Sequence, residues 1–184
     1  SYTPPQDKDW SFGVGVIISY QDMKTDSLGA NGGNLAVADR QKTDASMGAG
    51  FHLGAFWQPD PILAIGATYR SRVWSEEYEH YTKGTAQIFK GPMDMPAQWG
   101  VGLALKPPPV PKLTLAGDIK HIGWQSVKAI GDQPATGGFG WNNQFVFAVG
   151  AAYDVTDKLT GRIGYNYGKS PIDAGHMFAN FLFP

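Results

Sequence analysis

Apolar and polar residues alternate along most of this chain. From Met95 to Lys106 it reads MPAQWGVGLALK. Trp99, Val101, Leu103 and Leu105 fall on one side of an extended backbone, and Gln98, Gly100, Gly102 and Ala104 on the other. Successive side chains of a strand point to opposite faces, so this stretch predicts a strand with one apolar face and one small, partly polar face. Two solvents suit such a strand. A soluble sandwich buries the apolar face in a core, whereas a membrane barrel turns it to lipid and leaves the polar face to a lumen.

The same pattern predicts six more strands. The first, Trp10 to Tyr20, carries Phe12, Val14, Val16 and Ile18 opposite Ser11, Gly13, Gly15 and Ile17. The second, Met47 to Gln58, sets Phe51, Leu53 and Trp57 against Gly50, His52 and Phe56. In the third, Ile62 to Trp74, Leu63, Ile65, Ala67, Tyr69 and Val73 face outward while Arg70 and Arg72 face inward. The stretch described above is the fourth. The fifth, Leu113 to Trp124, turns Asp118 and Lys120 inward, with a bulge expected near Gly123. The sixth, Trp141 to Tyr153, has Phe145 and Phe147 outward and Val146 inward. The seventh, Leu159 to Gly168, has Ile163 and Tyr165 outward and Arg162 inward.

The connections decide between the solvents. Gln21–Ser46, Ser75–Asp94, Gln125–Gly138 and the tail from Lys169 are long and polar. Pro59–Pro61, Pro107–Pro111 and Val155–Lys158 are tight, two of them stiffened by proline. Strict alternation of long loops and short turns is the wiring of an outer-membrane barrel. Trp10 and Trp57 lie beside short turns, and Trp74, Trp99, Trp124 and Trp141 at long-loop ends, as an aromatic girdle at each interface requires. The fold expected is therefore all-β: an antiparallel up-and-down transmembrane β-barrel segment of about seven strands, forming one unit over residues 1–184.

Composition agrees. Charged residues are 17% of the chain, below the roughly 25% of soluble domains. Aromatics reach 13%, with 24 glycines. The net charge of -1 offers no basic stripe for nucleic acid. Zero cysteines exclude disulfides and thiolate metal sites. No apolar run of about 18 residues exists, so no membrane-spanning helix is read. The opening SYTPPQDKDW has no charged n-region and no apolar h-region, so any signal peptide is expected to have been removed or to lie outside this sequence.

Four stretches resemble the FadL-type outer-membrane transporters of long-chain fatty acids and aromatic hydrocarbons. They are LGAFWQPDPILAIGATYRS (Leu53–Ser71), MPAQWGVGLALKPPP (Met95–Pro109), KLTLAGDIKHIGWQ (Lys112–Gln125) and GRIGYNYGKSPI (Gly161–Ile172). The resemblance implies passive uptake of hydrophobic small molecules across the bacterial outer membrane, with no catalysis and no cofactor. Its expected surroundings are membrane lipid and lipopolysaccharide. Members of that family have about fourteen strands, roughly twice as many as read here, and a hatch bearing an Asn-Pro-Ala motif absent from this sequence. The chain is accordingly expected to be an internal fragment, with the hatch, the first strands and the closing strands outside it.

Candidate chemistry sits on the inward faces. Arg70, Lys120 and Arg162 are candidates to hold an anionic head group, Arg by a two-point fork, and Phe56 and Val146 to line a path for the tail. The bland alternative is that these cations, with Arg72, pair with carboxylates such as Asp118 to fill the interior. Glu76, Glu77, Glu79 and His80 form an acidic run, read as a solvated loop in preference to a Ca²⁺ site. His121 and Asp118, three apart on a strand, point to opposite faces and do not make a catalytic pair. No metal site, nucleophile elbow or phosphate loop is read. Two other functions stay open: a surface adhesin or phage receptor acting through its long loops, and a soluble sandwich that binds a ligand between its sheets.

One outcome follows for orientation. Protease added to intact cells should cut near Asn34, Glu77 and Gln133 and spare the turns at Pro59–Pro61, Pro107–Pro111 and Val155–Lys158. Cleavage at the proline turns from outside reverses the assignment.

Overall fold

The computed structural model describes residues 9–24, 43–82, 90–176 and 180. The strands are β1 (Trp10–Met23), β2 (Asp44–Trp57), β3 (Leu63–Arg70), β4 (Trp74–Ser75), β5 (Gln98–Leu105), β6 (Leu113–Ile122), β7 (Gln144–Thr156) and β8 (Leu159–Gly168). They form one antiparallel sheet in the order β1-β2-β3-β5-β6-β7-β8, with β4 paired to β2 beyond the end of β3. The path is an up-and-down meander in chain order, and β1 and β8 are its two edges.

Short turns lie at one end of the sheet and long connections at the other. Asp60 Oδ1 accepts from the backbone N–H groups of Ile62 (2.7 Å) and Leu63 (2.9 Å), closing the β2–β3 turn. Pro107 O accepts from Val110 N at 2.9 Å in the β5–β6 turn. The β7–β8 turn is tighter than the sequence suggests. β7 continues to Thr156, leaving Asp157 and Lys158 between the strands, with the irregularity of the sheet at Asp154/Thr156. The bulge expected near Gly123 is absent: β6 ends at Ile122 and a 3-10 turn over Trp124–Ser126 follows. β1 and β2 extend further into their long connection than expected, to Met23 and from Asp44, and the segment around Asn34 lies outside the described residues.

Register sorts the side chains onto two faces. Val14, Leu53, Tyr69, Trp99, His121 and Phe145 stand opposite one another across six strands on the apolar face. His121 is sandwiched there between Trp99 (ring centroids 5.5 Å) and Phe145 (4.8 Å). Among the described residues no second layer covers this face. Val14, Val16 and Ile18 on β1 are 77–80% exposed, and Val101 and Leu103 in the middle of the sheet remain exposed. The buried apolar residues among those described are Val73, Tyr78, Tyr81, Ile122, Val127 and Ala129, all at the long-loop end. A soluble sandwich needs the reverse distribution.

The third predicted strand is interrupted, and Val73 is a correction. Between the pairs His52–Arg70 and Ala49–Trp74, β2 spends Gly50 and Phe51 where the facing segment spends Ser71, Arg72 and Val73. One extra residue shifts the phase, so Val73, expected to face outward, is fully buried on the inner side. The ladder is repaired locally. Ser71 N donates to Phe51 O at 2.9 Å, and Phe51 N donates to Ser71 Oγ at 2.9 Å, the hydroxyl replacing a carbonyl. Val73 and Met95 exchange both backbone bonds at 3.1 and 3.3 Å. Gly50 is required beneath this crossing, because a Cβ there would lie 3.0 Å from Arg72 O and 3.2 Å from Val73 Cγ2.

The long connections fold over the same end. Tyr78 and Tyr81, the latter within a single helical turn (Glu79–Thr82), pack with Ala129, and Met23 and Met93 lean against them. Arg72 fastens the two loops together. Its Nη1 pairs with Asp94 Oδ2 at 3.4 Å and its Nη2 donates to Ser126 O, while Asp94 Oδ1 accepts from Ser75 N at 2.8 Å. Trp124 and Trp141, expected in the outward girdle, instead meet edge to face (5.0 Å, 73°) within the loop layer. Trp141 Nε1 donates to Asn180 Oδ1 at 2.5 Å. Trp99 and Trp74 do face outward, and Trp10 stacks on Trp57 (5.7 Å) at the turn end.

Two outcomes follow. Arginine at Leu103 or Phe147, midway along the bare face, should cost about 2–4 kcal/mol in lipid, whereas arginine at Ala148 on the opposite face should cost less; denaturant titration of the full-length protein in bilayers reads both. Burial, reinforced by the nearby carboxylates of Asp22 and Asp44, raises the Tyr78 phenol above its usual pKa. A raised folded-state pKa favours the protonated form, so this contribution is complete below about pH 10 and is lost as pH climbs through the raised value. The loop layer should loosen to protease in that alkaline window, and Tyr78→Phe should remove that part of the pH dependence.

Candidate functional site

The inner face curves into a trough. A cavity of about 580 Å³ runs along it, touching β2 at Phe56, β3 at Ala64 and Thr68, β5 at Gly100 and Gly102, β6 at Asp118 and Lys120, β7 at Val146 and Ala148, and β8 at Asn166. Small residues keep it open. One row across the sheet reads Ala64, Ala104, Ala116, Gly150, Gly164. Phe56 stands over Gly66, where a Cβ would lie 3.9 Å from its ring.

Polar groups enter the trough at defined heights. The row nearest the loops runs His52, Arg70, Gln98, Ile122, Gln144. Arg70 Nη2 lies 3.4 Å from Met95 Sδ, and its Nε is buried without a hydrogen-bond partner among the described residues. One row deeper stand Thr68, Gly100, Lys120 and Val146. The next holds Phe56, Gly66, Gly102, Asp118, Ala148 and Asn166. The side chains of Asp118 and Lys120 make no hydrogen bond or ion pair with any described residue. Their flanking partners in register, Gly102 with Ala148 and Gly100 with Val146, offer no polar side chain.

Of the residues singled out in the sequence, Phe56, Lys120 and Val146 line this one cavity. Arg70 stands just above it. It is two strands and one row from Lys120, about 12 Å between Cα atoms from ordinary strand spacings. Arg162 shares the face but not the height. It pairs with Ala152, which pairs with Thr114 at the turn end, about 22 Å from Lys120. Arg72 belongs to the loop clasp. In the acidic run, Glu76 Oε2 accepts from Met47 N at 3.4 Å. Sequence reasoning missed the partnership of Gly102 and Asp118. A Cβ on Gly102 would overlap Asp118 Oδ1, so the glycine is what lets the carboxylate lie along the wall. Only register reveals that pairing, since the two residues sit on different strands.

The same sheet recurs in solved structures. The toluene transporter TbuX of Ralstonia pickettii matches with a TM-score of 0.57 at 19% identity, over 88% of this chain and 52% of that one. A FadL homologue of Pseudomonas aeruginosa matches with a TM-score of 0.55 at 21% identity, over 91% and 48%. The toluene transporter TodX of Pseudomonas putida gives 0.55 at 18% identity, over 94% and 55%. The chain thus spans about half the length of each, and at these identities the likeness is one of fold. No curated protein sequence matches the chain. The profile of one family matches residues 7–180, nearly the whole sequence, and the chain belongs to that family: the outer membrane protein transport proteins (OMPP1/FadL/TodX).

Proposed function

We propose that this chain forms part of the wall of an outer-membrane conduit for passive uptake of hydrophobic small molecules such as long-chain fatty acids or aromatic hydrocarbons. One observation carries the reading: a continuous trough of small and apolar side chains, entered by few polar groups, backs onto a sheet face bare to lipid. Water-filled pores for ions and sugars keep a polar interior. Here Phe56, Val146 and the alanine–glycine row offer an acyl or aryl group apolar walls throughout. The toluene transporters and the FadL homologue of the same fold, named above, support this choice of cargo. Membrane lipid and lipopolysaccharide are the surroundings of the bare face.

Arg70 is the first cation a ligand meets below the loop layer, with an unused Nε. In this reading it receives an anionic head group; Lys120, the next cation down the path, stands two residues from the Asp118 carboxylate and is offset by it. Arg162 lies at the far end and serves exit, if any step, rather than capture. A charge-assisted hydrogen bond contributes about 1.5–3 kcal/mol. Arg70→Ala in the full-length protein should therefore weaken fatty-acid binding by roughly ten- to a hundredfold and leave an unsubstituted hydrocarbon nearly unchanged. Equal losses for both ligands make Arg70 structural. No loss for either moves head-group capture to another part of the protein.

A further inference from the structure

We infer that the mid-trough pair Asp118 and Lys120 is a subsite for an uncharged hydroxyl group, so that the conduit proposed above, on which this inference rests, prefers alcohols and phenols over the corresponding hydrocarbons. The two residues stand two apart on β6 and both line the trough. Their charges cancel. A carboxylate drawn to Lys120 would sit against Asp118, and an ammonium drawn to Asp118 would sit against Lys120, so the pair rejects net charge of either sign. A hydroxyl meets no such conflict. It donates one proton and accepts through its lone pairs, matching a carboxylate that only accepts and an ammonium that only donates.

Three features separate this pair from ordinary interior packing. Neither side chain bonds to any described residue, although each residue lines the cavity. Asp118 Oδ1 leans over Gly102, its partner in register, which offers no polar side chain. Apolar walls continue beside the pair, at Phe56, Val146 and Ala148, so a hydrocarbon body can lie in contact while its hydroxyl is held. Gly102 is then a positioning residue: with a Cβ at that site the carboxylate must swing off the wall.

The matched probes are p-ethylphenol and ethylbenzene, which differ by one hydroxyl. Their binding to the full-length protein in detergent is to be measured by calorimetric titration. The native protein should bind the phenol about tenfold or more tightly than the hydrocarbon. Asp118→Ala should bring the two affinities together by weakening the phenol alone. Gly102→Ala should do the same with Asp118 intact, because only a flexible carboxylate has to move. A preference for the phenol that survives both substitutions overturns the inference, and so does its absence in the native protein while both probes still bind. If neither probe binds the native protein, the conduit reading falls as well.

Discussion

The hydrocarbon interior of a membrane offers no water to an unpaired N–H or C=O, and each such group costs several kcal/mol. That requirement shapes this chain more than any side chain does. It demands a continuous ladder, and every strand from β1 to β8 is paired with its neighbour. It explains why the interruption at Ser71–Val73 is repaired so closely. Ser71 lends its hydroxyl to Phe51 N, Val73 pairs with Met95, and the crossing is sealed over Gly50. Placing the break at the loop end, beside buried Tyr78 and Tyr81, keeps the irregular backbone against protein rather than lipid.

Once the backbone is satisfied, side chains sort by the polarity of what they face, and charges become scarce. Arg72 is consumed by the fold, since removing it would leave Asp94, which is 5% exposed, without its cation and untie two loops. Arg70, Asp118 and Lys120 have no comparable duty. They stand on a face otherwise built from glycine, alanine and a few apolar residues. An ion pair between Asp118 and Lys120 would have been a simple way to neutralise both. Instead the carboxylate leans away over Gly102, and that separation gives the trough a polar step in an apolar wall.

Much of this was legible in the sequence because period-two alternation reads faces directly. β8 has the bounds expected, and Leu103, Phe147 and Ile163 are outward while Phe56, Lys120 and Val146 are inward. What alternation cannot encode is an added residue. Val73 and Trp74 suit either face, so nothing local marks the extra residue, and the phase is recovered only from the pairing of Ala49 with Trp74. Trp124 and Trp141 were misplaced for a related reason: a tryptophan near a strand end satisfies the girdle pattern whether it faces lipid or folds into a loop. Height along the sheet is likewise invisible. Arg162 has the same parity as Lys120, yet register sets it six residues further down, because parity fixes the face and only pairing fixes the row.

Height matters most for a conduit of the kind proposed, since a ligand must be bound well enough to enter and loosely enough to leave. Burial of apolar groups contributes about 0.8 kcal/mol per methylene, so a path that gripped a long tail along its whole length would trap it. The row Ala64, Ala104, Ala116, Gly150, Gly164 answers this with side chains too small to embrace a tail, placed one row below Asp118. Larger apolar contacts are confined to Phe56 and Val146, at the level of Lys120 and Asp118. In the conduit proposed, polar and bulky groups coincide near the mouth, where they would select, and the small-residue row lies below them, where it would ease release. The alternation that first marked the chain as a barrel wall therefore has a second use: its small-residue face sets how weakly the path holds what passes along it.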